Sequence, residues 1–349
     1  MWGFIGYFLI ILFIFGVLIF IHELGHFLTA RACGVTVNEF AIGMGPKLFS
    51  WSSKKHKTKY ALRLLPIGGF VSMQDEDGTD KEIPPDDEGS FCNKSVPKRM
   101  LITVAGAVMN LLLGFIIMII IVFSSQSLGS TVIREFAPDA VSNQKLMVDD
   151  EIIKVGHTRV HTWNELAYEI MNTGYEPIDI TVKRNGEKIV LEDVEFDTFE
   201  DSGATFGAYD FLPYVEEATF ANLMKHAFFR SVSTVKMVLD SIKGLATGRF
   251  GMEAVSGPVG VVNVVQSASK HGFISFLYIV SVLTINLGVF NLIPFPALDG
   301  GRFLFLAIEG VRGKPINKNV EYYVNFIGLM ILFTFMIFVT IKDVFNLFG

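Results

Sequence analysis

Two histidines and a glutamate lie close together near the start of the chain, at the end of a long apolar run. They are His22, Glu23 and His26, in the stretch HELGH. Residues four apart share one face of a helix, so both imidazole rings can bind one zinc ion at about 2.0–2.1 Å. Glu23, next to the first ring, is placed to act as general base on a water molecule there. Ionisable groups beside a membrane-length run are costly, which favours a functional site over inert, hydrogen-bonded residues.

A third ligand is expected in the second half of the chain, because a catalytic zinc ion needs three protein ligands and one open position. Asp299 is the acid there that follows an apolar run, NLGVFNLIPFPALDGGR, residues 286–302. Pro294 and Pro296 end the preceding helix. Non-helical backbone at membrane depth must be covered by protein, so Asp299 is predicted to lie in a walled site.

Two asparagines, Asn286 and Asn291, lie in the same apolar run. Buried amides need hydrogen-bond partners. The residues alone leave two interpretations open. The amides could bond within their own helix bundle, or they could hold the unwound backbone of a substrate.

The other histidines are predicted to have no part in this chemistry. His157 and His161 also stand four apart, but they lack a glutamate and lie in a strand-and-turn pattern typical of a domain surface. His56, His226 and His271 have no partner in the sequence and are expected to be solvated.

Four apolar runs are long enough to cross a membrane. The chain has 349 residues, of which 51% are hydrophobic, and runs of about 18 or more apolar residues predict membrane helices. The first run has neither a cationic start nor a small-residue cleavage site, so we expect a retained span and not a signal peptide. The runs are residues 3–21, 100–128, 273–293 and 324–341.

Lysine and arginine residues predict the orientation, because they accumulate in cytoplasmic loops. They cluster between the first and second runs and again between the third and fourth, so both segments are expected in the cytoplasm and both termini outside. The residues are Lys47, Lys54, Lys55, Lys57, Lys59, Arg63, Lys98 and Arg99 in the first segment, and Arg302, Arg312, Lys314 and Lys318 in the second. The long segment between the second and third runs is acidic overall and is expected outside.

The remaining composition argues against a disulfide framework and gives no support for nucleic-acid binding. Cys33 and Cys92 both fall in the first cytoplasmic segment, where disulfides are rare. The net charge of −6 and its distribution give no case for a nucleic-acid partner.

The chain is predicted to have four parts. Residues 1–128 form the first membrane half, 129–198 a domain, 199–272 a linker with an amphipathic helix, and 273–349 the second membrane half. Strand, turn, helix and a hairpin at Asn-Gly make residues 129–198 similar to a PDZ domain, although SNQKLMVDDEI stands where such domains show Gly-Leu and Gly-Asp. The amphipathic helix either lies at the membrane interface or packs on the domain.

Residues 60–73 contain two short apolar halves on either side of Pro66 and the pair Gly68-Gly69. This pattern resembles a β-hairpin. Each half is short, and Arg63 lies in the first, which argues against a fifth span.

The order of these motifs resembles one known family. HELGH after the first run, PIGGF at residues 66–70, a PDZ-like insert and NLIPFPALDGGR together resemble the site-2 proteases. The similarity is to their bacterial RseP-like branch of regulated intramembrane proteolysis metalloproteases, and it covers nearly the whole chain. One departure concerns the second run, where the family often shows Gly-Pro before an asparagine and this chain has Gly106-Ala107 before Asn110.

The resemblance implies a polytopic α-helical membrane protein. It would have four transmembrane helices, a re-entrant β-hairpin at residues 60–73 and one extracytoplasmic PDZ-like α+β domain. The implied location is the bacterial inner membrane, with the active site toward the cytoplasmic side. The implied ligands of Zn²⁺ are His22, His26 and Asp299, with Glu23 as the catalytic base.

The resemblance also implies how substrates are bound and what they are. The hairpin could add the substrate as an extra β-strand. The expected substrates are single-span membrane proteins cleaved after their ectodomains have been trimmed, among them anti-sigma factors, or remnant signal peptides. The implied substrate-binding residues are Asn286, Asn291, Pro294, Pro296, Gly68 and Gly69.

Two other functions compete with a protease. A membrane adaptor could present the PDZ-like domain and keep a structural zinc ion, but such a site would not require Glu23. A metal transporter could use the same ligands as an ion path, but a path needs successive ionisable residues inside the spans, and these are scarce. One test separates the adaptor and the transporter from a protease. It asks whether peptide cleavage depends on Glu23 while zinc stays bound.

Overall fold

Long apolar helices flank a block of short strands along the chain. The computed structural model describes residues 2–53, 58–76, 84, 86–125, 127–201 and 203–348. It divides into two units, Met1–Gly114 with Ser256–Gly349, and Phe115–Val255. The elements are α1 (Trp2–Ala32), β1 (Val37–Ser52), β2 (Lys59–Met73), α2 (Val96–Phe123), β3 (Leu128–Phe136), β4 (Glu151–Val155), β5 (Thr158–Arg159), α3 (Trp163–Thr173), β6 (Ile178–Arg184), β7 (Glu187–Val194), β8 (Asp197–Asp201), β9 (Ala204–Ala208), β10 (Phe211–Glu216), α4 (Phe220–Thr247), α5 (Pro258–Lys270), α6 (Phe273–Leu292), α7 (Asp299–Arg312) and α8 (Lys318–Phe348).

Four helices in the described part of the chain are long and apolar enough to cross a membrane. They are formed by Gly6–Ala32, Val96–Phe123, Phe273–Leu292 and Lys318–Phe345. Large apolar side chains stay exposed along them, as on the face of α8 that carries Phe326, Met330 and Phe338. Such faces need an apolar solvent, so the four predicted spans are confirmed as candidate membrane helices.

Two boundaries of the spans differ from the sequence-based expectation. Helix α1 does not end at residue 21 but continues to Ala32, so the HELGH stretch lies inside the helix with its backbone hydrogen bonds intact. Helix α2 ends at Phe123, and Leu128 already belongs to β3. The apolar run from 100 to 128 therefore contains a helix end and a strand start, which hydrophobicity alone does not separate.

The register of β1 and β2 corrects the expected hairpin at residues 60–73. Phe40 of β1 pairs with Val71 on one side and with Tyr60 on the other, and Ala41 pairs in the same way with Phe70 and Ala61. The first half of β1 therefore lies between the two halves of β2. In the described register the two halves of β2 pair with β1 and not with each other, because both strands bend back on themselves. Strand β1 bends near Gly43 and Gly45, and β2 bends near Gly68. All three glycines have positive φ.

A hydrophobic core fixes the sheet against the helix that carries HELGH. Phe27 and Ala30 of α1, Phe40 of β1, Val71 of β2 and Ile102 of α2 are all buried in one cluster. Burial of the larger side chains in this cluster stabilises the fold by about 1.5–3 kcal/mol each. The core thus fixes α1, β2 and α2 relative to one another next to His22 and His26.

Small residues let α6 pack closely on α2. A Cβ on Gly114 would lie 2.5 Å from Cγ1 of Ile285, and one on Gly288 would lie 3.0 Å from the carbonyl oxygen of Ala107. The buried hydroxyl of Ser281 donates a hydrogen bond of 3.0 Å to the carbonyl of Gly114. The second membrane half is therefore packed directly against α2 inside the first unit.

The unit Phe115–Val255 contains an antiparallel sheet with α3 packed on it. The strand order is β10-β3-β4-β6-β7, with β5 paired to β4. Leu166 and Ile170, one turn apart on α3, are fully buried in its core. This sheet and helix are consistent with the expected α+β domain, while its similarity to a PDZ domain remains a prediction.

The sheet extends beyond residue 198, where we expected the domain to end. Strand β10 pairs with β3 through Phe211 and Phe136, and β8 pairs with β9. The segment 199–272 is therefore more than a linker with a helix. The alternating pattern of these strands is short, and β3, the partner of β10, lies about 80 residues earlier in the sequence.

Helix α4 packs on this domain through its polar face. Asp240 accepts hydrogen bonds from Tyr168 (2.9 Å), Asn172 (3.2 Å) and Lys236 (2.7 Å). His226, which we expected to be solvated, is buried, with Nε2 3.3 Å from Oε2 of Glu216. The expectation was wrong because its partner lies on β10, a strand that the sequence did not reveal.

Some expectations lie outside the described residues. They concern Lys54, Lys55, His56 and Lys57, and most of the acidic stretch between residues 77 and 85.

Candidate active site

Both histidines of HELGH face helix α2, and each ring is buried. Nδ1 of His26 lies 2.8 Å from the carbonyl oxygen of Ile102, to which it can only donate. Nδ1 of His22 lies 3.3 Å from Nδ2 of Asn110. Contacts at Nδ1 leave the two Nε2 atoms facing each other, 3.2 Å apart.

Asp299 joins this pair from the far end of the chain. Its Oδ2 lies 3.1 Å from Nε2 of His22 and 3.3 Å from Nε2 of His26. The Oδ2 atom is buried and has no hydrogen-bond partner of normal geometry in the described part of the chain. Three potential metal-ligand atoms therefore converge on one point.

The spacing of these atoms fits zinc. Nitrogen and oxygen ligands at about 2.0–2.2 Å from a tetrahedral zinc ion lie about 3.3–3.6 Å apart. The three observed separations are 3.2, 3.1 and 3.3 Å, at or within 0.2 Å of the lower end of that range. Among the described residues, this is the one group of three or more His, Cys, Asp or Glu side chains whose ligand atoms approach so closely.

Glu23 lies near the three ligand residues and beside strand β2. It follows His22 on α1, within electrostatic range of both histidines and Asp299. A Cβ on Gly69 of β2 would lie 3.1 Å from Cγ of Glu23 and 3.0 Å from the carbonyl of Ala41. The backbone of β2 therefore passes directly beside the Glu23 side chain because residue 69 has no side chain of its own.

A tight turn brings Asp299 to the site. Helix α6 ends at Leu292, and Asp299 is the first residue of α7. A Cβ on Gly300 would lie 2.2 Å from the carbonyl oxygen of Ile293, and one on Gly301 would lie 2.3 Å from that of Phe295. The two glycines after Asp299 thus let α7 start directly against the turn.

Helix α8 supports the same turn from the other side. The side-chain oxygen of Asn325 accepts a hydrogen bond of 3.1 Å from the backbone N–H of Ala297. A Cβ on Gly328 would lie 2.5 Å from Cβ of Pro296. The fourth span therefore contributes to the position of Asp299 without contributing a ligand.

Two ion pairs hold α7 in place. Arg99 at the start of α2 makes hydrogen bonds to both carboxylate oxygens of Glu309, one of them at 3.1 Å. Arg302, one turn after Asp299, pairs with Glu76 just after β2 and donates to the Glu76 carbonyl at 3.0 Å. Through these pairs α7 is tied to α2 and to the end of the sheet.

The residues predicted to bind substrate lie near the site but differ in their surroundings. Oδ1 of Asn286 is buried and has no partner within the described residues. Asn291 lies in the last turn of α6, and Pro294 and Pro296 lie in the turn that follows it. In the described contacts, neither asparagine bonds to the three ligand atoms.

Gly68 and Gly69 belong to the same candidate group. Gly68 has a φ of +84°, and a Cβ there would lie 2.6 Å from Cε of Met44. It marks the bend of β2 that leads into the strand beside Glu23. Only a glycine adopts this conformation without strain.

Sequence reasoning noted Gly106 and Asn110 in the second apolar run but did not predict that three positions on α2 contact the histidines. They are Ile102, Gly106 and Asn110, spaced four residues apart and therefore on one face of the helix. A Cβ on Gly106 would lie 2.4 Å from Nε2 of His26 and 2.7 Å from Nε2 of His22. The repeat of small and polar residues at this spacing in an apolar run was the available signal.

Comparison with known proteins finds a family and related metalloproteases. The sequence model of peptidase family M50 matches residues 10–335. A protein of Clostridium acetobutylicum, named as a candidate zinc metalloprotease, is 36% identical over 332 residues, which cover 95% of each chain.

Two further relatives are named as RasP proteases. The zinc metalloprotease RasP of Shouchella clausii is 30% identical over 418 residues, covering 96% of this chain and 98% of its own. The regulator of sigma-W protease RasP of Bacillus subtilis is 29% identical over 417 residues, covering 96% and 97%.

Four candidate membrane helices, a zinc-type ligand cluster and a family match over nearly the whole chain lead to one assignment. The chain belongs to peptidase family M50, the site-2 proteases, and is a membrane zinc metalloprotease.

Proposed function

We propose that this protein cleaves single-span membrane proteins within or near the bilayer, after their ectodomains have been trimmed. The convergence of His22, His26 and Asp299 beside Glu23 is the observation that carries the proposal. These groups lie on or next to apolar helices, so a peptide bond cleaved there lies near membrane depth.

The proposed metal ligands are Nε2 of His22, Nε2 of His26 and a carboxylate oxygen of Asp299. A zinc ion held there would supply a Lewis acid that polarises the scissile carbonyl and makes water more acidic. The ligand set leaves one tetrahedral position for water or substrate. The protein itself contributes the orientation of the two rings, through their Nδ1 contacts to α2.

Glu23 is the proposed general base. It takes the proton of the attacking water and later delivers it to the leaving amine. Its Cγ lies beside the β2 backbone at Gly69, and its carboxylate is within electrostatic range of both histidines and Asp299. A substrate strand lying along β2 would therefore expose its peptide bond to the ligand residues and to Glu23.

Substrate is proposed to bind as an extra strand at residues 69–73 of β2. A membrane helix hides its peptide groups in its own hydrogen bonds, so it must unwind locally before attack. Main-chain groups at a sheet edge can then replace the lost bonds. The amide oxygen of Asn286 has no hydrogen-bond partner among the described residues. We propose that it completes the binding segment together with Asn291, Pro294, Pro296, Gly68 and Gly69.

The test compares the parent with Glu23→Gln. Zinc content and cleavage of a model single-span substrate are measured on purified full-length protein in detergent. We expect equal zinc in both and a cleavage rate about 10²–10⁴-fold lower in the variant, because proton transfer is lost. Equal cleavage by the two proteins would remove Glu23 from the mechanism.

The domain within residues 115–255 is proposed to lie outside the cytoplasm and to exclude substrates with bulky ectodomains. Its position in the chain between the second and third spans supports this role. Replacing residues 127–250 with a flexible linker should allow cleavage of an untrimmed substrate, while cleavage of the trimmed form stays close to that of the parent. Unchanged rejection of the untrimmed substrate by the shortened protein would count against the size filter.

Anti-sigma factors are proposed as one class of substrate. The Bacillus subtilis relative is named as a regulator of sigma-W, and anti-sigma factors with one span fit the proposed substrate form. Remnant signal peptides fit the same chemistry. The proposed location is the bacterial inner membrane, with the zinc site toward the cytoplasm, as the basic loops predict.

A further inference from the structure

We propose that Asn110 is a positioning residue for the metal centre. Its side-chain oxygen accepts a hydrogen bond from Nδ1–H of His22 when a metal ion is bound at Nε2 of that ring. The inference rests on the proposed function, since it takes His22 as a metal ligand.

The surroundings of Asn110 leave one polar atom unsatisfied. The residue is fully buried, and Nδ2 lies 3.3 Å from Nδ1 of His22. Oδ1 is buried as well and has no hydrogen-bond partner among the described residues. A buried amide oxygen without a donor is unfavourable, so a donor is needed beside it.

Metal binding by His22 creates that donor. A ring that binds metal through Nε2 uses the lone pair of that nitrogen, so the proton of the neutral imidazole is on Nδ1. Nδ1 then needs an acceptor. A rotation of the Asn110 amide by half a turn about Cβ–Cγ interchanges the positions of Nδ2 and Oδ1. Oδ1 then faces the Nδ1 proton of His22 and can accept it in a hydrogen bond.

The second ring supports the assignment, because His26 is held in the same way. Its Nδ1 donates to the carbonyl oxygen of Ile102 on α2, at 2.8 Å. Ile102 and Asn110 lie on one face of α2, with Gly106 between them leaving room for both rings. One helix thus offers an acceptor to each ring, and both Nε2 atoms point toward Asp299.

A purely structural role for Asn110 predicts a different outcome. If the residue only packed α1 against α2, replacing it would lower the stability of the fold and leave the affinity for zinc unchanged. Loss of a group that orients a metal-bound histidine typically weakens metal binding by about 10- to 100-fold. Zinc affinity is therefore the decisive quantity.

The experiment measures zinc dissociation constants of the full-length protein in detergent. The protein is stripped of metal, and zinc is titrated against a competing chelator. We expect Asn110→Leu, which has a similar size and no acceptor, to bind zinc about 10- to 100-fold more weakly. Asn110→Asp keeps an acceptor at the same place and should bind zinc at least as tightly as the parent.

Thr103→Val is the matched control. Thr103 is buried on the same helix, and its hydroxyl donates to the carbonyl of Arg99 within that helix, at 2.9 Å. Its removal deletes a buried polar group of α2 whose hydrogen bond stays within that helix. We expect the zinc affinity of this variant to match that of the parent.

The outcomes separate this inference from the proposed function. His22→Ala should lose zinc binding, and if it does not, the proposed ligand set itself is wrong. If His22→Ala loses zinc while Asn110→Leu keeps the parent affinity, the role of Asn110 is overturned and the ligand set stands. Equal losses of zinc affinity in Asn110→Leu and Asn110→Asp would also overturn the role of Asn110.

Asn110→Ala replaces the leucine variant if Asn110→Leu gives no cooperative melting transition. The expected loss of zinc affinity is the same.

Discussion

Residue 106 shows how a missing side chain shapes the candidate metal centre. A Cβ on residue 106 would lie 2.7 Å from Nε2 of His22 and 2.4 Å from Nε2 of His26. These atoms are the same Nε2 nitrogens that approach Asp299. Glycine at this position is therefore part of the geometry of the site.

Gly106→Ala should disturb the site more than it disturbs the helix. Alanine favours a helix over glycine, but its methyl group must push both rings away from their present places. Displacement of reacting groups by about 1 Å can cost about 100-fold in rate. We expect a loss of cleavage of at least that order, with weaker zinc binding, measured by substrate cleavage and chelator competition.

Gly6→Ala is the control for this change. Gly6 lies on α1, and a Cβ there would have no neighbour within 4 Å. Cleavage and zinc affinity should be unchanged in this variant. Parent-like zinc binding by Gly106→Ala would contradict the steric argument.

At the scale of elements, the turn between α6 and α7 stores backbone strain beside the site. Ala297 has a φ of +72°, a conformation that costs a residue with a side chain about 1–2 kcal/mol. Its N–H donates to Asn325 of α8, and Pro296 packs against Gly328. These contacts hold the strained turn, and the turn places Asp299.

Substitutions at Ala297 should shift stability in opposite directions. Ala297→Gly removes the steric cost but raises the conformational entropy of the unfolded chain. We therefore expect a net gain of about 0.5–1 kcal/mol in the free energy of unfolding. Ala297→Val, with a branched side chain at positive φ, should be less stable than the parent. Thermal melting of the two variants in detergent checks the order. A valine variant as stable as the glycine variant would contradict the strain.

At the scale of the whole molecule, the unit Phe115–Val255 contains a buried titratable contact that links two of its elements. His226 of α4 lies against Glu216 of β10. Burial lowers the pKa of His226 below its usual value, while Glu216 raises it in part. The neutral ring is therefore favoured in the folded unit.

This burial predicts that the unit loses stability as the pH falls. Below the usual histidine pKa of about 6.5 the unfolded chain takes up a proton before the folded one does. The contribution of His226 is complete above that pH and declines as the pH falls toward the lowered pKa of the folded state. We expect the melting temperature of the full-length protein to be lower at pH 5.5 than at pH 7.5.

His226→Gln isolates the contribution of this ring. Glutamine does not titrate, so the difference between the two pH values should be smaller in the variant than in the parent. Thermal melting of both proteins at both pH values provides the comparison. An identical pH dependence in the two would assign the effect to other groups.

Much of the candidate site could be predicted because its signals are local. HELGH places two rings on one helical face by spacing alone, and Asp299 follows the proline-broken end of an apolar run. The four spans follow from length and composition.

The sequence by itself determined the residue types, the spans and the family resemblance, because each depends on a short window or a motif. Only the tertiary structure decided the mixed pairing of β1 with both halves of β2, the place of β10 in the sheet and the burial of His226. It also decided that Gly106 and Asn110 of α2 meet the rings of α1. These contacts join segments roughly 10 to 90 residues apart, and pairing at such distances depends on how whole elements pack and not on local pattern.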